Sequence, residues 1–275
     1  MGWTLIAILV LALAGFASWR WALAAGSAAT LDWIDARFPR ETGIELVAQG
    51  KYGPTDAQRA EIWVPEGAAP AGGFPLAVFV HGGGWHSGAP EDYRFVARSL
   101  GEQGIATALV GYRLVPDGRY PVMLEDSAAG LAWVRDKAAT ANLRAGQAIL
   151  IGHSAGAAIA CRLRLETGKG GEVMALNGAL APLVRHAPSL PASLLRPFMV
   201  NPLLPRILSA HASDRTVGRL LDGTGSHIPR TQRELYRRLF RYSGHLEGTL
   251  AMMADWDLES VRRDLDRLSG PLHLL

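Results

Sequence analysis

The chain has a single cysteine, only three lysines and no cluster of metal-ligating side chains, and each shortage closes a route. With Cys161 alone no intrachain disulfide can form, so stability must come from a packed core. Cys161 stands among Ala158, Ile159, Ala160 and Leu163, a setting for a small buried thiol and not for a reactive one. No His, Cys or carboxylate group has metal-ligand spacing and no glycine loop has phosphate-binding form, so the sequence predicts no metal and no cofactor. Lysine is confined to Lys51, Lys137 and Lys169, and a net charge of +3 without a recognised motif argues against nucleic-acid binding. The arginines crowd between Arg206 and Arg241, where they read as a solvated helix face.

Charge is also missing from Gly2 to Trp19, a stretch of 18 residues just long enough to cross a bilayer. A cleaved signal peptide would carry basic side chains ahead of this run, and there are none. Residues 1–24 are therefore expected to form an uncleaved membrane anchor with Trp3, Trp19 and Trp21 at its interfaces, although Ala22-Leu23-Ala24 has the form of a cleavage site. Arg20, Arg37 and Arg40 follow the run, which by the positive-inside rule places the rest of the chain in the cytoplasm.

What is present is ample apolar material, 49% of 275 residues, enough for one α/β domain with an insertion. Ile44–Val47 and Ala60–Val64 read as an opening hairpin around the turn residues Lys51-Tyr52-Gly53-Pro54. The runs 76–80, 105–110, 148–151 and 173–176 read as strands, with helical spacing over 90–100 and 122–141 between them. That alternation predicts a mostly parallel sheet with helices on both faces and functional residues at the C-terminal strand ends.

Two motifs fall at such ends. Gly152-His153-Ser154-Ala155-Gly156 follows the apolar run Ala148–Ile151 and precedes a small-residue helix start, the sequence form of a nucleophile elbow with Ser154 at its apex. His81-Gly82-Gly83-Gly84-Trp85 follows Leu76–Val80, and its glycines can bring backbone N–H groups up to a developing oxyanion. Two N–H groups from Gly82, Gly83 and Gly84, with that of Ala155, would make the oxyanion hole. The plainer alternative is a tight turn at His81–Gly84 and a Ser154 that only N-caps a helix.

With Gly111-Tyr112-Arg113-Leu114-Val115-Pro116, Tyr120-Pro121 and Glu125-Asp126 added to these motifs, residues 40–165 resemble the bacterial serine carboxylesterases of the hormone-sensitive-lipase and feruloyl-esterase-like groups. The resemblance implies an α/β-hydrolase fold and hydrolysis of small hydrophobic esters through an acyl-enzyme on Ser154. Many such esterases are exported, which leaves a periplasmic location open beside the cytoplasmic one. His81 would support the oxyanion loop, and Glu125 and Asp126 would brace the loop of Arg113.

Residues 40–180 would form the core, 181–268 a proline-rich then helical cap, and 269–275 the start of another core strand. Within the cap, Arg230–Tyr242, Leu246–Met253 and Leu258–Leu268 read as helices. Asn177–Leu180, Asn201–Arg206, Gly223–Ser226, His245, Met252–Leu258 and Asp264–Leu268 resemble the magnesium-chelatase accessory α/β-hydrolases of bacteriochlorophyll synthesis. That second resemblance implies a tetrapyrrole-binding accessory protein as the alternative function, and a poorly folded truncated product is a third.

A serine of ordinary pKa needs a histidine to take its proton and a carboxylate to orient that histidine. In this fold both follow the nucleophile on later loops, and no counterparts to them, nor to the fold's last strands, are found by Leu275. Of the other histidines, His153 lies inside the elbow, while His211, His227 and His245 lie in the cap. His245 matches the second family's pattern and is the candidate base.

Overall fold

The computed structural model describes residues 15, 28–168, 171–180, 201, 203–223, 228–247, 250 and 258–275. Apart from Gly15, the apolar N-terminal segment lies outside them, as do His227 and residues 181–200 and 251–257 of the cap. Among the described residues no helix is long and apolar enough to cross a membrane.

Seven strands, β1 (Ile44–Lys51), β2 (Arg59–Pro65), β3 (Phe74–Val80), β4 (Ala106–Val110), β5 (Leu143–His153), β6 (Val173–Leu176) and β7 (Leu272–Leu274), form one sheet in the order β1-β2-β4-β3-β5-β6-β7. β1 and β2 pair antiparallel, as does β2 with β4; every pairing from β4 through β3, β5 and β6 to β7 is parallel. The parallel strands are joined by α1 (Arg94–Gly101), α2 (Val122–Ala138) and α3 (Ala155–Thr167), the crossovers that parallel pairing requires.

Because side chains alternate across a strand, each central strand serves two cores. Leu76, Val78 and Val80 of β3 enter the larger core, while Ala77 and Phe79 enter the smaller core beside Ala97 of α1. α2 and α3 cover the larger side through Met123, Leu131, Val134, Ile159 and Leu163, all buried. A helical stretch over 28–35 lies on the smaller side, with Ala28 against that core.

Beyond β6 come α4 (Leu203–Ala210), α5 (Asp214–Gly223), α6 (Arg230–Phe240) and α7 (Leu258–Asp264). α5 and α6 enclose a separate small cluster of Ala212, Val217 and Leu221 with Ile228, Tyr236 and Phe240. α7 does not share it: Val261 is fully buried in the larger core, and Asp264 accepts a bond from Arg162 of α3 at 3.0 Å.

Candidate active site

The elbow is a place where backbones touch. β5 ends at His153, α3 starts at Ala155, and Ser154 between them has φ 52° and ψ −114°. Positive φ strains a residue with a Cβ. Asn142 and Asn177 also have positive φ, which asparagine tolerates. Apart from these, the positive-φ non-glycine residues among those described are Ser154 and Trp85, one in each motif.

The neighbouring glycines explain how the strain is held. A Cβ on Gly156 would collide with the carbonyl oxygens of Val80 and, at 2.6 Å, His81. One on Gly152 would lie 2.5 Å from the Ala157 backbone nitrogen. So α3 starts against the end of β3, and only glycines allow the approach. Ser154 makes no side-chain capping bond to α3, which removes the plain N-cap reading. Among the described residues nothing hydrogen-bonds its Oγ.

The glycine loop closes on the same point. A Cβ on Gly82 would sit 2.7 Å from His153 Nδ1 and 3.2 Å from Ser154 Cβ, so the loop rests directly on the elbow. Gly83 (φ 113°) and Gly84 (φ 60°) take the left-handed backbone that the tight turn needs, and the Gly83 carbonyl accepts bonds from the N–H groups of His86 and Ser87. His81 is fully buried between Tyr112 at 4.4 Å and Tyr93 at 5.7 Å, and the Tyr112 hydroxyl donates to the His81 carbonyl at 2.8 Å. Burial holds its pKa down at about 4 even though the Gly82 carbonyl, 2.7 Å from Nδ1, favours the charged form. His81 is therefore a neutral strut under the loop.

Asp126 braces the next loop. It is buried, and it accepts bonds from Arg113 N, Nε and Nη2 at 3.0, 2.8 and 2.7 Å and from Gln58 Nε2 at 2.9 Å. Burial alone would raise its pKa; the Arg113 bonds outweigh that and lower it. Val115 N then donates to the Trp85 carbonyl at 3.0 Å, tying the braced loop to the glycine loop. Glu125 carries no such bonds among the described residues.

The cap histidine reaches the rim of this arrangement through a residue the sequence reading did not single out. His86, two positions past the last glycine, meets His245 edge-on at 6.2 Å and Tyr242 at 5.6 Å. Burial, then the neighbouring His86, holds the His245 pKa down at about 4. His211 instead turns back to its own helix, with Nδ1 2.8 Å from the Ile207 carbonyl. Nothing among the described residues joins His245 to Ser154. A cleft of about 340 Å³ opens beside His86, lined also by Thr55, Arg113, Leu114, Val115 and Asp117. Among the described residues no group of three His, Cys, Asp or Glu is placed to hold a metal.

A mostly parallel sheet with helices on both faces, a strained serine between strand and helix, and a glycine loop on its shoulder define an α/β-hydrolase fold. Several known proteins resemble the chain over part of its length. Residues 60–175 match the family model described as BD-FAE. The chain is 34% identical over 135 residues to the magnesium-chelatase 30 kDa subunit of Rhodobacter capsulatus, covering 49% of this chain and 47% of that protein. It is 36% identical over 118 residues to carboxylesterase NlhH of Mycobacterium tuberculosis, covering 42% of this chain and 36% of that one. Esterase B from Lactobacillus rhamnosis is a solved structure with 22% identity and a TM-score of 0.48, covering 66% of this chain and 61% of that one. The chain thus spans less than half the length of the two curated relatives named here.

Proposed function

We propose that this chain is a serine hydrolase of carboxylic esters that forms an acyl-enzyme on Ser154. The observation that carries the proposal is the strained Ser154 with the Gly82–Gly84 loop seated against it. Ser154 Oγ attacks the ester carbonyl carbon, and the carbonyl oxygen takes up negative charge. Two of the N–H groups of Gly82, Gly83 and Gly84, with that of Ala155 at the start of α3, stabilise that charge. Collapse of the tetrahedral intermediate breaks the bond to the leaving oxygen, which takes up the proton given up by Ser154 and departs as the alcohol; water then attacks the acyl-enzyme, giving the acid and returning a proton to Ser154.

Proton transfer from Ser154 sets the rate such a site can reach. His245 is neutral, as a base must be, but a pKa near 4 makes it a weak one. The reading therefore assigns nucleophile and oxyanion donors to this chain and gives His245 at most a small share. Turnover of p-nitrophenyl butyrate that falls to background in Ser154→Ala supports the proposal. Equal turnover in the two proteins refutes it.

The likeness to the magnesium-chelatase 30 kDa subunit favours a second reading, in which the cap holds a tetrapyrrole. Titration with protoporphyrin tests it, and an unchanged absorbance spectrum counts against it. For localisation we retain the N-terminal anchor, on the length and lack of charge of Gly2–Trp19, with the folded body in the cytoplasm. Extraction by alkaline carbonate would contradict the anchor.

A further inference from the structure

The helix over 28–35 and the turn behind it leave Leu31, Trp33, Ile34 and Phe38 exposed at 47, 48, 43 and 66%. Four large apolar side chains within eight residues make a patch, not scattered exposure. The helix is not free to roll them inward. Arg98 grips Asp32 at 2.5 Å and Asp35 at 2.6 Å, and Arg40 grips Asp35 at 2.5 Å and Glu102 of the body at 2.8 Å. With Ala28 packed against the smaller core, the body side of the helix is fixed and the apolar residues stay outside.

What covers them is indicated by the preceding sequence. Gly2–Trp19 is uncharged and long enough to span a bilayer, and the nine steps from Trp19 to Ala28 reach at most about 30 Å. A helix tethered that closely stays within reach of the membrane surface. Tryptophan with basic neighbours suits the headgroup layer, with leucine, isoleucine and phenylalanine set just beneath it. Arg37 stacks on the Trp33 ring at 3.3 Å, and Arg20 lies in the tether, so cationic groups flank the patch as anionic lipid would favour.

We propose that Leu31, Trp33, Ile34 and Phe38 form a bilayer-docking face that seats the folded body on an anionic membrane surface; this rests on the reading of Gly2–Trp19 as an anchor. The face does more than tether. It fixes which side of the body meets the lipid, because the Arg98 and Arg40 pairs lock the helix to α1 and the residue that follows it.

The test uses the full chain reconstituted in vesicles of phosphatidylcholine and phosphatidylglycerol, with an environment-sensitive dye on Ile34→Cys, Phe38→Cys or, as a control on α4, Leu203→Cys. All three positions are exposed, so the labels leave the core intact. The expected result is a blue shift and quenching by doxyl-labelled lipid at positions 34 and 38 and neither at 203. Water-like emission at 34 and 38 in protein that floats with the vesicles would overturn the docking face while sparing the anchor. Failure to float would overturn both. A blue shift without lipid quenching would mean that a second copy covers the patch, which also overturns the proposal.

Discussion

Around Ser154 the chain packs backbone against backbone, whereas the 203–247 segment packs through a few side chains. Gly152 and Gly156 have no room for a single added carbon, but Gly218 in α5 would meet its nearest neighbour, an Arg233 nitrogen, at 3.6 Å. Asp126 is buried and bonded to Arg113 and Gln58, whereas Glu234 of α6 is held by the partly exposed Arg237 and the exposed Arg238 of its own helix. Leu203, Ile207, Leu235 and Leu239 stay exposed there. The difference teaches that strain at one residue is kept where its surroundings cannot move, while a segment held by few buried side chains offers no such support.

The sharpest break between the regions is the same substitution made in each. Gly156→Ala should cost about 3 kcal/mol or more through overpacking against backbone atoms that cannot give way, and Gly218→Ala should gain about 0.5–1 kcal/mol as a helical glycine replaced. Urea unfolding of both variants measures the contrast. Equal effects would mean that the elbow is not held as described.

A smaller contrast separates the carboxylates. Asp126→Asn should cost about 2 kcal/mol, less than a fully buried pair because Arg113 is partly exposed. Glu234→Gln should change the midpoint by no measurable amount, although Arg237 and then Arg238 hold the Glu234 pKa down at about 2.

The pH dependence comes next. His81 and His245 have folded pKa values of about 4, below their ordinary 6.5, so the unfolded chain takes up their protons first as pH falls. Their contribution to stability is whole above about pH 6.5 and is lost as pH falls toward 4. Asp126, also depressed, adds its own loss only below its ordinary value of 3.8. Melting temperatures across this range should drop, and His245→Leu should flatten part of the drop. The smallest effect is a silence: burial pushes the Cys161 thiol up to about 12, so a thiol reagent at pH 8 should react with it only after unfolding.

Much of this was legible in the sequence for a physical reason. Continuous apolar runs and small-residue turns are local properties, so the β3 and β4 strands, the 148–151 part of β5 and the elbow could be read from neighbours in the chain, while the bracing role of Asp126 came with the family resemblance. The joining of β7 to β6 and the burial of Val261 in the larger core depend on contacts across about a hundred residues, which no local pattern encodes. His86 was missed for the same reason. Its only sequence signal is its place two residues after the glycines, and its meeting with His245 spans 159 positions.

The central claim is that Ser154 is a nucleophile with its oxyanion donors in place. Treatment of the chain with a fluorophosphonate, followed by intact-mass and peptide mapping, tests it most directly. The account predicts one phosphonyl adduct, on Ser154, and none in Ser154→Ala. A chain that stays unlabelled while cooperatively folded, or one still labelled after Ser154→Ala, would contradict it.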